Sequence, residues 1–185
     1  MALKTLVKIG GITNLSDARY CAGMGVDMLG FDVIEGSPNY ISPESFHQIR
    51  GWITGPLIVA EIAGLKTAED LPKILENYRP DLLQMGLAEL TIMPSPPLPY
   101  ILRLEEDQDI RHLSIKPEYL LGNTRPATPL NAPFLLEVAS TDQAIDALSN
   151  VHVRGIALNG GPELKPGLKD YSSLADILEI GRAHV

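Results

Sequence analysis

Cysteine is nearly missing from this chain. Cys21 is the single thiol in 185 residues, so no intrachain disulfide can form and no cysteine-based metal site can be assembled. Histidine is also sparse: His47, His112, His152 and His184 are scattered, with no two at a ligand-like spacing. Neither a metal nor a cofactor is expected. Basic charge is short as well, with 15 Lys and Arg against 23 Asp and Glu and a formal charge of -8. That balance disfavours nucleic acid and anionic membranes as partners, because both demand a basic face. A small phosphorylated ligand survives the argument, since a few backbone amides at a helix start can hold a phosphate against the global field. Long apolar runs are absent too. None reaches the roughly 18 residues of a membrane span, and "MALKTLVKIGG" lacks the apolar block and cleavage site of a secretory signal. The expectation is a cytoplasmic protein. Its 45% hydrophobic and 21% charged residues are those of a globular one.

What the chain does have is alternation. Short apolar stretches alternate with stretches of helical period, the pattern of a parallel sheet with crossover helices. Strands are expected at Leu6–Gly10, Met28–Ile34, Leu57–Ala63, Leu82–Met85, Tyr100–Leu104, Tyr119–Leu121, Phe134–Val138 and Gly155–Leu158. Helix signals lie between several of them. "SPESFHQIRG" has Ser42 as N-cap, Pro43 at the first helical position and Gly51 as a stop. "STDQAIDAL" has Ser140 and Gln143 at capping-box spacing. "TAEDLPKILENY" needs Pro72 near its start or bends there, and "YSSLADILEIG" after Asp170 reads as the last helix. "MPSPPLP" and "NTRPATPLNAP" are too proline-rich for helices, so short loops are expected between Gly86 and Phe134. Eight strand-connection units over residues 1–185 predict a single α/β domain, a closed (β/α)8 TIM barrel with shortened or missing helices after strands 4 to 6. An open doubly wound sheet is the rival. In the barrel, ligand chemistry sits at the carboxyl ends of the strands.

Several segments carry a resemblance. "VKIGGIT-NLSDA", "GVDMLGFDV", "SPNYISPE" and "LNGGPELKPGLKD" are similar to the opening and the eighth-strand segment of phosphoribosylanthranilate isomerase, a tryptophan-biosynthesis enzyme. Its counterparts read VKICGIT, GADxxGFxF…SxRYIS and SSGVExxPGxKD. The match is specific at both ends of the chain and loose through the middle. It implies an eight-stranded barrel that converts a phosphoribosylated anthranilate from aldose to ketose. Such a rearrangement needs a general acid to open the ribose ring and a general base to take a proton from the adjacent carbon.

By this resemblance the family base, the cysteine of KICGIT, is replaced by Gly10, which has no proton to exchange. The family acid, an aspartate closing strand 6 in a segment of form LLD, falls on Gly122 of "YLLGNT" with Asn123 beside it. A second register would use "FLLEVAS" and put Glu137 there. The arginine of SxRYIS that holds the anthranilate carboxylate is Asn39, whose amide cannot supply a bidentate charged grip. The histidine of the fourth-strand QLHG falls on Met85 of "LQMG". The phosphate end is partly kept: Asn159, Gly160 and Gly161 place two glycines where amides can approach an oxyanion, and Ser140 opens a helix after strand 7. The family's seventh-strand glycine pair is not visible in "EVAST".

Charges inside apolar strands complete the candidate pocket. Asp32 interrupts "LGFDVI" and is either a pocket residue or a paired structural carboxylate. Glu61 and Arg103 pose the same question on strands 3 and 5, and a carboxylate paired with Arg103 inside the barrel would answer it without catalysis. Glu137 can simply cap its strand at the rim. Lys8 alternates with Leu6 and Gly10 and is expected to pack structurally, and Cys21 falls at apolar spacing on a helix as a buried inert thiol. The resulting expectation is an isomerase-like barrel impaired in its chemistry, a pseudoenzyme with a partial site for a small phosphorylated or anionic ligand. Two alternatives stay open: different chemistry through Asp32, Glu61 or Glu137, and an active isomerase with a relocated base. Homodimer assembly is compatible with each.

Overall fold

The computed structural model describes residues 5–105, 108, 110, 113–126, 130–160, 163–165, 168–169 and 172–183. Eight parallel strands close into a barrel: β1 Leu6–Gly10, β2 Met28–Asp32, β3 Leu57–Glu61, β4 Leu82–Met85, β5 Tyr100–Arg103, β6 Tyr119–Gly122, β7 Phe134–Glu137 and β8 Val153–Asn159. Closure excludes the open sheet, since β1 pairs with β8 from Leu6 against Gly155 to Gly10 against Asn159. β2 and β3 stop two residues short of the expected Ile34 and Ala63. The chain turns once the Asp32 carboxylate accepts the Ile34 amide at 3.2 Å, and Gly64 enters a positive-φ turn after β3 (φ 92°).

The helices are α1 Leu15–Gly23, α2 Pro43–Arg50, α3 Leu71–Tyr78, α4 Leu87–Ile92, α5 Thr141–Leu148 and α6 Ser172–Ala183. The Ser42 and Ser140 hydroxyls accept the Ser45 and Gln143 amides, each at 3.3 Å, so both expected caps are formed. Pro72 sits in the first turn of α3, behind a 3-10 turn at Ala68–Asp70. α4, six residues long, is a shortened helix of the kind expected after strand 4, in a stretch otherwise expected to be short loops. The buried Glu89 carboxylate accepts the Gly86 amide at 2.9 Å and the Gly64 amide at 2.8 Å, fixing the helix start without a hydroxyl cap. Among the described residues no helix follows β5 or β6, and no helix is long and apolar enough to cross a membrane. A small antiparallel hairpin, β9 Glu163–Lys165 with β10 Leu168–Lys169, lies between β8 and α6 and was not anticipated from the sequence.

Period-two alternation sorts each strand into two faces. Val7, Ile9, Leu29, Phe31 and Ile58 pack outward with Phe46, Ile74 and Ala144 of the helices, in the cluster that also buries Cys21. Met28, Val59, Leu82, Ile101, Leu121 and Leu135 form a separate cluster that fills the barrel interior. Two residues further along the same face the strands turn polar, which defines the mouth.

The opposite end is tied by carboxylates. The Val7 amide donates to Asp27 Oδ2 at 2.8 Å while the Asp27 amide donates to the Val7 carbonyl at 3.0 Å. Asp81 repeats the arrangement on Ile58 at 2.7 and 2.8 Å. Burial pushes the Asp27 carboxyl above its usual range, against the downward pull of backbone hydrogen bonds. A raised folded-state pKa means that the folded form holds the proton more tightly than the unfolded one. The associated stability is therefore fully present below the unfolded value of about 3.9 and is lost as pH rises through the folded value. Asp27→Asn keeps an acceptor for Val7 and removes the charge. Urea unfolding at pH of about 4 and about 7 should show the variant gaining stability relative to the parent at the higher pH; a pH-independent difference would refute the assignment.

Candidate functional site at the barrel mouth

The interior face of β1 ends in Lys8 and Gly10, and Lys8 is only 2% exposed. Its ammonium lies 2.6 Å from Glu61 Oε1 on β3, while Glu61 Oε2 accepts the Gly11 amide at 3.2 Å. The pair bridges β1 to β3 across β2, whose interior position between them is Gly30. A Cβ on Gly30 would stand 2.2 Å from Glu61 Oε1 and 2.8 Å from Lys8 Nζ, and one on Gly10 would stand 2.6 Å from Glu61 Oε1. With the carboxylate in this position, neither residue has room for a Cβ. The place of the residue-10 side chain is not empty: Glu61, reaching in from another strand, occupies it.

A second pair mirrors the first. Arg103 of β5 grips Glu137 of β7 through two bonds of 2.7 Å, bridging across β6. The Arg103 side chain is 42% exposed and that of Glu137 19%. Lys8, Glu61, Arg103 and Glu137 thus come from the four odd-numbered strands with alternating charge. Barrel interiors commonly stack side chains in layers drawn from alternate strands, and here the layer nearest the mouth is ionic.

The even strands supply the rest. Asp32 is half-buried, with its carboxylate turned to the Ile34 amide and no cationic partner among the described residues. Gln84 is the register partner of Glu61, and its Oε1 is buried without a hydrogen-bond partner. Sequence reasoning did not single it out. A polar residue between Leu83 and Met85 in a buried strand was the available signal. Met85, at the position matched to the family histidine, is a buried outer-face residue packed in the helix-side core.

On β6, Leu121 belongs to the interior cluster. Gly122 faces Phe134, whose ring would be 3.1 Å from an added Cβ. The next residue on the interior side is Asn123, exposed at the strand end. The alternative sixth-strand register is corrected, because Glu137 lies on β7, between β6 and β8.

The expected phosphate cradle is largely committed elsewhere. The Gly160 amide donates to the Gly10 carbonyl at 2.9 Å. Ser140 caps α5, and Gln143 takes the Ala139 amide at 2.7 Å. Asn159 is exposed at the rim with Oδ1 3.2 Å from where a residue-10 Cβ would be. Gly161 lies outside the described residues. Asn39 is exposed, and its amide reaches over Gly11, 3.4 Å from the ideal Cβ position there.

No protein-family model matches the chain. The N-(5'-phosphoribosyl)anthranilate isomerase of Xanthomonas campestris pv. campestris strain 8004 is 27% identical, covering 95% of this chain and 92% of its own. The crystal structure of phosphoribosyl anthranilate isomerase from Thermus thermophilus superposes with a TM-score of 0.72 at 20% identity, covering 95% of this chain and 97% of that one. A phosphoribosyl anthranilate isomerase in complex with reduced 1-(o-carboxyphenylamino)-1-deoxyribulose 5-phosphate gives 0.74 at 20% identity, with 96% and 98% covered. Over nearly its whole length the chain is similar in sequence to phosphoribosylanthranilate isomerases, and it shares their closed eight-stranded barrel.

Proposed function

We propose that this barrel binds a small phosphorylated ligand at its mouth and does not carry out the aldose-to-ketose rearrangement at the rate of an equipped isomerase. One observation carries the reading. The Glu61 carboxylate stands in the residue-10 side-chain space and is already engaged by the Lys8 ammonium and the Gly11 amide. The other carboxylates are engaged as well, Glu137 by Arg103 and Asp32 by the Ile34 amide. That weakens the case for different chemistry built on the three of them. β6 ends in Gly122 and is followed by Asn123, neither of which carries a carboxyl group. A general acid or base each contributes typically about 10²- to 10⁴-fold. Phosphorylated ligand character is supported by the related structure holding a deoxyribulose 5-phosphate compound, with Asn159 and the exposed Ser140 hydroxyl as donors on the β7–β8 side.

A second reading rests on the same carboxylate. Glu61 lies where a base on residue 10 would act, so it could take over the proton from across the barrel. Incubating purified protein with the phosphoribosylated anthranilate separates the two. The first predicts turnover at least about 10²-fold below that of an equipped isomerase and unaffected by Glu61→Gln. Turnover that Glu61→Gln cuts by about 10²- to 10⁴-fold would replace it with the second. Ligand binding has its own check: ribose phosphates should raise the melting temperature by mass action, and no shift with any phosphate ester would remove the binding reading.

The shared space gives a further test. Gly10→Cys should cost about 1–3 kcal/mol, since the added side chain forces the carboxylate off Lys8. In a Glu61→Ala background the same change should cost far less. Urea unfolding of the four proteins reads this coupling directly. Additive costs would show that the two side chains do not compete for one place.

A further inference from the structure

Two buried side-chain oxygens lack a hydrogen-bond partner among the described residues, Ser37 Oγ and Gln84 Oε1. Gln84 is the more informative because of its surroundings. It lies on the interior face of β4, two residues beyond Leu82 of the apolar cluster, in register with Glu61 on β3 and Ile101 on β5. A buried acceptor left unpaired is costly, and such groups in folded proteins are met by a donor from water or from a ligand. Gln84 therefore asks for a donor at the mouth, beside the Glu61 carboxylate.

The charge of the same region narrows what can bring that donor. Lys8 is neutralised by Glu61 and Arg103 by Glu137. Asp32 is left as an unbalanced carboxylate on the interior face among the described residues, and the rim above β1 carries the neutral amide of Asn39. A ligand group entering between β1 and β4 thus meets acceptors and net negative charge. A hydroxyl satisfies Gln84 and is tolerated by Asp32; a carboxylate offers no donor and is repelled.

We infer that Gln84 forms a sugar-hydroxyl subsite, and that the ligand is a hydroxyl-rich sugar phosphate with no second acidic group, distinct from the carboxyaryl compounds the isomerases handle. This rests on the phosphorylated-ligand reading above for its phosphate end alone. Its hydroxyl end stands on Gln84, Glu61 and Asp32.

Calorimetric titration of the full chain with ribose 5-phosphate, ribose, inorganic phosphate and reduced 1-(o-carboxyphenylamino)-1-deoxyribulose 5-phosphate tests the inference. Ribose 5-phosphate should bind at least about tenfold more tightly than the carboxyaryl compound, the weight of roughly one good hydrogen bond. Gln84→Leu keeps the volume and removes the acceptor. It should weaken ribose 5-phosphate about tenfold, leave phosphate unchanged and raise the melting temperature of the free protein, because the unpaired oxygen is gone. Tighter binding of the carboxyaryl compound, or ribose 5-phosphate affinity indifferent to Gln84→Leu, would overturn the subsite. Phosphate binding to which the sugar adds nothing would also overturn it, leaving the phosphate reading intact. Ribose binding that depends on Gln84, with no affinity for any phosphate, would uphold the subsite and sink the phosphate reading.

Discussion

The contact that constrains the rest of the mouth is the 2.6 Å pair between Lys8 and Glu61. An ammonium buried to 2% exposure is tolerable only with an excellent partner, because taking a charge out of water costs several kcal/mol per ion. Three features meet that demand. The contact is short, the second carboxylate oxygen has the Gly11 amide, and Glu61 keeps 15% exposure to solvent at the strand end. Space must also be found on the two neighbouring strands, and Gly10 and Gly30 provide it. These four residues form one unit. Changing Glu61 alone strands a buried lysine, and changing either glycine alone drives the carboxylate off its partner.

The same logic organises the whole interior. Below the mouth, the barrel is filled by aliphatic side chains that need no partners. At the mouth, the odd strands contribute an alternating set of charges, each pair spanning the strand between. Arg103 and Glu137 can remain more open to solvent because their bidentate geometry fixes them without deep burial. The even strands contribute Asp32, Gln84 and Asn159, which lack ionic partners among the described residues and so are the groups left to meet a ligand. Ion pairing thus commits the charges of the odd strands to one another, while the polar groups of the even strands have no such commitment among the described residues.

Much of this architecture was legible in the chain because the signals were local. Short apolar runs alternating with stretches of helical period located all eight strands, and Ser42–Pro43 and Ser140–Gln143 marked two helix starts that form as read. Lys8, Asp32, Glu61, Arg103 and Glu137 stood out as charges in apolar strands, and all reach the mouth. Their partners did not stand out. Lys8 and Glu61 are 53 residues apart, and only the pairing of β1 and β3 with the two edges of β2 brings them together. What fills the space beside Gly10 was hidden for the same reason: a glycine in a motif reports a missing side chain, while the group that stands in its place lies on another strand. The start of α4 escaped notice because it is fixed by Glu89, a residue usually exposed, and Gln84 because a lone polar residue in a strand has no pattern to betray it.

A replacement in space is not equivalent to a replacement in sequence. A thiol on β1 would hang from a rigid strand end with its proton affinity set by its surroundings. A carboxylate reaching over from β3 arrives tied to an ammonium, and any proton it accepts weakens the pair that holds it in place. Moving a proton and keeping the interior neutral therefore become competing demands on one group. For an anionic ligand the consequence is similar. The two ion pairs cancel among the described residues, and a net charge of -8 on the chain as a whole opposes long-range attraction of an anion. A phosphate bound at such a mouth, as proposed above, would have to be held by short-ranged hydrogen-bond donors at the β7–β8 rim, and the hydroxyls accompanying it would have to supply the rest of the affinity.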